Sequence, residues 1–229
     1  MQLLDPDLLL RAYAAGIFPM ADARDADEVF WVEPRKRGVI PIEDFHLPRS
    51  LGKLLRQERF ELTADRAFED VMRACAEPAP DRPETWINEA ILDGYTRLHR
   101  LGFAHSVECW QDGRLAGGLY GVKLGAAFFG ESMFTRVRDA SKAALAHLIA
   151  RLRAGGFRLL DTQFLTEHLA RFGAVEVPRA AYRSLLDSAL SAEGDFFALD
   201  ALAADARPAT IVSGPISGKL IAQLLTQTS

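Results

Sequence analysis

A chain of 229 residues with 49% hydrophobic and 25% charged residues is large enough for one sizeable domain plus a small appendage, and its composition is that of a globular protein. The net charge of −4 excludes a generic polyanion binder, and two cysteines, Cys75 and Cys109, exclude a disulfide framework. No run approaches the roughly 18 apolar residues that a membrane span requires, and MQLLDPDLLLRAY lacks the layout of a secretory leader, which predicts a cytoplasmic protein.

Residues 6–15 read as a short helix, with Asp5 placed to cap it, Pro6 to open it and Gly16 to end it. Short strands are expected near 29–32 and 38–41, closing a small N-terminal lobe over residues 1–45. The main domain, 46–195, begins with LPRSLGKLLRQ as a helix, FELTAD as a strand and AFEDVMRACA as a second helix. A loop over 78–85 leads to a helix in which Ile87, Ile91, Tyr95 and Leu98 recur at helical spacing, closed by Gly102. Asp112-Gly113 between apolar-alternating runs predicts a hairpin, and a third strand follows Gly125. An amphipathic helix over about 139–153 ends at Gly155-Gly156, then FRLLD reads as a strand and TEHLARFG and RAAYRSLLDSAL as helices. Residues 196–229 form a C-terminal extension of unassigned role, ending in a short helix. The order predicts an α+β domain, an antiparallel meander followed by one crossover helix, and that arrangement resembles the GNAT-like acyltransferase fold.

Charge is uneven along the chain. Between Arg35 and Arg59 seven basic residues oppose three acidic ones, and Arg49, Lys53 and Arg56 fall on one helix face. That stripe is equally a solvated face or a surface that contacts phosphates.

The familiar catalytic devices are missing. Gly130-Glu131-Ser132-Met133-Phe134 is not a nucleophile elbow, there is no phosphate-binding glycine loop, and the five histidines show no metal-ligand spacing, so neither metal nor cofactor is expected. What remains is polar residues set in apolar strands: Glu131 after AAFFG, and Asp161 and Gln163 after FRLL. A carboxylate in such a place must be paired, solvated or functional, because burying it alone is costly.

Nine blocks then occur in order, among them Y-x-x-G-I-F-P (13–19), W-V-E-P-R-K-R-G-V-I (31–40) and T-W-I (85–87). They continue through G-G-L-Y-G-V (117–122), G-E-S-M-F (130–134), A-S-K-x-A-L (140–145), D-x-Q (161–163) and G-A-x-E-V-P-R (173–179). The set resembles the leucyl/phenylalanyl-tRNA–protein transferases, with Val32 standing where that family often carries a second tryptophan.

The resemblance implies transfer of Leu or Phe, with Met a further candidate, from aminoacyl-tRNA to the α-amine of proteins that begin with Arg or Lys, marking them for N-degron-type degradation. It implies Asp161 and Gln163 at the reaction centre and Glu131 as counter-charge to the basic acceptor. Trp31 and Trp86 match aromatic positions at the terminal adenosine, and Leu119, Phe128, Met133, Leu145, Leu148, Leu152 and Leu160 are expected to form the donor's side-chain slot. With a tRNA donor, Arg49, Lys53 and Arg56 become the candidate surface for its acceptor stem. The ester is already activated, so alignment of the amine supplies much of the catalysis. An acyl-CoA-dependent N-acetyltransferase on the same fold is the main alternative; Arg136-Val137-Arg138-Asp139-Ala140 lacks the glycines its pyrophosphate turn would need.

Overall fold

The computed structural model describes residues 4–26, 28–78, 84–205 and 214–226. Helix α1 (Pro6–Ala14) begins where the Asp5 carboxylate accepts the Asp7 and Leu8 amides, and it stops before Gly16, whose φ of 75° favours glycine. Strands β1 (Phe18–Met20) and β2 (Phe30–Val32) pair as an antiparallel ribbon. Strand β3 (Lys36–Ile40), grouped with the N-terminal lobe by the sequence, instead enters the large sheet.

Then come α2 (Arg49–Arg56), β4 (Glu61–Ala64), α3 (Phe68–Cys75), α4 (Glu89–Arg100), β5 (Ala104–Gln111), β6 (Arg114–Leu124) and β7 (Ala127–Thr135). The loop expected at 78–85 falls largely outside the described residues. The chain continues through α5 (Ala140–Ala154), β8 (Leu159–Gln163), α6 (Glu167–Ala170), β9 (Val175–Pro178), α7 (Arg179–Leu190), α8 (Ala198–Asp205) and α9 (Gly218–Thr226).

Seven strands form one sheet in the order β4-β5-β6-β7-β8-β3-β9. β5, β6 and β7 are the antiparallel meander, turned at Asp112-Gly113 and at Gly125. Helix α5 crosses over, so β8 returns parallel to β7. β3 then runs antiparallel between β8 and β9. The sequence does not reveal β1 and β9, whose runs of three and four residues are too short to show a period.

Side chains alternate between the two faces: Val39, Tyr120, Phe129 and Leu159 on one, Ile40, Leu119, Phe128 and Leu160 on the other. The first face is covered by α1, α3, α4 and α7, the second by α2, α5, α8 and α9. Helix α5 is not the half-exposed helix its polar residues suggested. Every residue from Ala143 to Leu152 is buried, because α8 and α9 of the C-terminal extension lie over it. Arg151 on α5 is 1% exposed; it donates to the Phe196 carbonyl at 3.0 Å and to both Asp200 oxygens. Ile216 bridges to Leu62, shielding the edge strand β4.

Candidate active site

Two local irregularities open the sheet. In the β6–β7 ladder Tyr120 faces Ser132 but Gly121 faces Gly130, so Glu131 is an extra residue, a bulge. The bulge reverses the alternation of β7: Phe128 and Met133 pack on one face, Phe129 and Phe134 on the other. β7 and β8 pair only over Ala127–Phe129 and Leu159–Asp161. Past that point Gly130–Thr135 of β7, Thr162 and Gln163 of β8, and Phe164 just beyond it border a cavity of about 730 Å³.

One end of this cavity is apolar, lined by Leu119, Met133, Leu145, Leu148 and Leu160. Trp86 also lines the cavity, from the side of the other core cluster; next to it the Thr85 hydroxyl accepts the Ile87 amide, and Asn88 caps α4 and donates to the Ala26 carbonyl. Phe128 and Leu152, expected in the same slot, do not reach the cavity. Both are fully buried, Phe128 against the rings of Phe157 and Phe196, and their sites belong to the core under α5 and α8. Trp31 is 37% exposed on β2 opposite Pro19, a cavity-lining residue, so it stands beside the wall rather than in it. Arg49, Lys53 and Arg56 are exposed along α2 and make no ion pair among the described residues.

The polar end gathers Glu131 and Gln163, both facing the cavity. Tyr13 donates to Glu131 Oε1 at 2.7 Å, Tyr95 to Oε2 at 3.2 Å and Gln163 Nε2 to Oε1 at 3.1 Å. The two tyrosine hydroxyls also touch each other. Burial pushes the Glu131 carboxyl up to about 7, against the pull of the Tyr13 and Tyr95 hydroxyls and the Arg37 charge. Burial beside Glu131 raises both tyrosines well above their usual range, so they stay neutral donors.

Asp161 lies behind this surface, fully buried and not on the cavity wall. Arg37 Nε lies 2.9 and 3.0 Å from its two oxygens and Nη2 is 2.7 Å from Oδ2. Tyr182 donates to Oδ2 at 2.6 Å and the Gln163 amide to Oδ1 at 2.8 Å. Arg37 is itself 2% exposed, its guanidinium between the rings of Phe18 and Tyr182 at 4.7 and 4.6 Å. Burial opposes its charge, but the hydrogen bonds and charge of Asp161 prevail and raise its pKa.

Tyr13, Arg37, Tyr95, Tyr182 and His168 are site residues that sequence reasoning does not single out. Tyr13 and Arg37 stand inside the Y-x-x-G-I-F-P and W-V-E-P-R-K-R blocks, and that membership is the signal that could have found them. Tyr95 carries only helical periodicity, and Tyr182 no signal at all. His168 lines the cavity, its pKa lowered by burial and by the neighbouring Lys142 and Arg171 charges.

Comparison with known proteins identifies the family. Residues 39–187 match the family model described as leucyl/phenylalanyl-tRNA protein transferase, and residues 2–35 match that of its N-terminal domain. The chain is 58% identical, across all of both chains, to a leucyl/phenylalanyl-tRNA–protein transferase of Rhizorhabdus wittichii. It is 59% identical to one of Phenylobacterium zucineum over 96% of each chain. With one of Paramagnetospirillum magneticum it shares 63% over 83% of this chain and 91% of the relative.

Proposed function

The chain belongs to the leucyl/phenylalanyl-tRNA–protein transferase family, and from that premise we propose that its cavity joins a leucyl or phenylalanyl ester of tRNA to the α-amine of a protein beginning with Arg or Lys. The carrying observation is that one cavity has an apolar end and a carboxylate end, divided by the splayed β7 and β8. The antiparallel meander with a crossover to a parallel, splayed strand also supports the GNAT-like reading.

The donor side chain enters the slot of Leu119, Met133, Leu145, Leu148 and Leu160. Such a slot discriminates weakly among apolar side chains, since one methylene is worth about 1–3 kcal/mol; that leaves room for Met. Gln163 gives its amide hydrogen to Glu131, so its carbonyl oxygen is free to accept from the incoming amine. The amine nitrogen bonds to the ester carbonyl carbon, the C–O bond to the ribose breaks, and the amine's proton leaves with the tRNA oxygen or with water. An α-amine has a pKa near ~8, so a useful fraction is already neutral at physiological pH. Glu131 supplies the counter-charge for the acceptor's Arg or Lys. The product carries Leu or Phe ahead of the basic residue, an N-terminal mark for degradation.

The test is transfer of radiolabelled leucine from leucyl-tRNA to peptides that differ only in their first residue. Arg- and Lys-initiated peptides accept the label and a norleucine-initiated peptide does not. Equal labelling of all three removes the acceptor assignment, and acetyl transfer from acetyl-CoA would favour the alternative donor.

A further inference from the structure

The backbone at Gln163 is in a costly conformation. Its φ is 57°, in the left-handed region, and the Phe164 amide donates to the Thr162 carbonyl at 2.7 Å, a three-residue turn centred on Gln163. A turn of this kind at a non-glycine residue is rare and strained, and persists only where its surroundings hold it. Opposite it stands Gly38, and a Cβ there would lie 2.7 Å from the Phe164 carbonyl carbon, so nothing larger fits against the turn.

The geometry points to Arg37 and Tyr182 as positioning residues for Gln163, acting through Asp161. The Asp161 carboxylate holds the turn by accepting the Gln163 amide at 2.8 Å. Its other acceptor sites are taken by Arg37 and Tyr182, so it has no direct access to the cavity and cannot act as a base on the amine. Arg37 extends the clamp to the end of α1 through the Gly16 carbonyl at 2.8 Å, and a Cβ on Gly16 would press the Tyr182 ring at 3.1 Å. Three separate parts of the chain therefore converge on one carboxylate: the α1–β1 turn, β3 and α7. Its function is to fix the side chain two residues further on. This inference rests on the reading that Gln163 receives the amine.

The experiment is a double-mutant cycle on leucyl transfer from leucyl-tRNA to an Arg-initiated peptide, with melting temperature followed in parallel. Tyr182→Phe removes one hydrogen bond to a carboxylate and keeps the ring; kcat falls about tenfold, with KM for both substrates within about twofold. Gln163→Ala alone also lowers kcat. Tyr182→Phe added to Gln163→Ala lowers it no further, since the group being positioned is gone, while the melting temperature still drops as in the single variant. Arg37→Lys, which keeps the charge but not the two-point hydrogen bonding, serves the same cycle if Tyr182→Phe does not fold. Multiplying losses in kcat, or an unchanged kcat in Tyr182→Phe, would overturn the assignment. A Gln163→Ala protein as fast as the parent would instead sink the role of Gln163 and the positioning role with it. The two failures are thus told apart by the Gln163→Ala arm alone.

Discussion

Glu131 joins three influences at one residue: a bulge that turns it toward the cavity, two tyrosine donors, and burial that lifts its pKa to about 7. The sign of the pH effect follows. A carboxyl raised above its unfolded value binds its proton more tightly in the folded chain, so that contribution is full below the unfolded pKa and is lost as pH rises through about 7. Glu131→Gln removes the titration, so its melting temperature should rise relative to the parent between pH 5 and pH 8, by the equivalent of about 1–2 kcal/mol after allowing for solvent in the cavity. A difference in melting temperature that is flat across that range would mean the carboxyl does not titrate there. The same substitution should cut transfer to Arg-initiated peptides while leaving a norleucine-initiated peptide where it was. At the apolar end, Leu145→Phe or Leu148→Phe narrows the slot, so phenylalanyl transfer should fall more than leucyl. Overpacking itself costs about 1–3 kcal/mol, which a melting control separates; equal loss of both donors at unchanged melting would assign these leucines to the core alone.

Helix α2 has an exposed basic face that makes no ion pair among the described residues. Its apolar residues Leu51 and Leu55 are buried, while Arg49, Lys53 and Arg56 project outward. If these three follow a strand of phosphates, their joint replacement by Ala should weaken tRNA donor binding and reduce its salt dependence. The reduction should be roughly 0.7–0.9 log units per log of salt for each phosphate left without its cation. Transfer from an aminoacylated adenosine, which has no stem, should be untouched. Equal loss with both donors would move the stem elsewhere. The sequence identified this helix and its charged face, because period 3.6 was legible in eight residues. It did not identify β9, whose four residues carry no readable period and take their place from pairing with β3.

At the scale of the whole molecule, the described parts of the C-terminal extension belong to the core rather than being an appendage to it. Phe196, Leu199, Ile221 and Leu225 bury themselves over α5, and Asp200 is the counter-ion of an arginine that is 1% exposed. Asp200→Ala strands that charge in the interior. Breaking a buried pair costs about 3–5 kcal/mol, reduced here to about 2 kcal/mol because Asp200 is 42% exposed on its own side. A fall in the midpoint of urea unfolding with unchanged slope would show this; no change would mean that water or the Phe196 carbonyl satisfies Arg151 unaided. Because Leu145 and Leu148 sit on that same helix, the apolar lining of the cavity is backed by residues beyond 195.

The sequence by itself did not determine α8, but it determined the helices up to α7, the hairpin turns at Asp112-Gly113 and Gly125, and the membership of Glu131, Gln163, Trp86, Leu119 and Leu145 in one family pattern. These depend on local period, on turn chemistry and on residue identity within short blocks, all of which are written along the chain. Tertiary structure alone decided that β3 lies between β8 and β9, that Phe128 and Leu152 are core, and that Asp161 is engaged by Arg37 and Tyr182, 124 and 21 residues away. It also decided that α5 is buried on all sides. Such outcomes depend on which distant segments meet, and no local pattern records the partner that will cover a face or neutralise a charge.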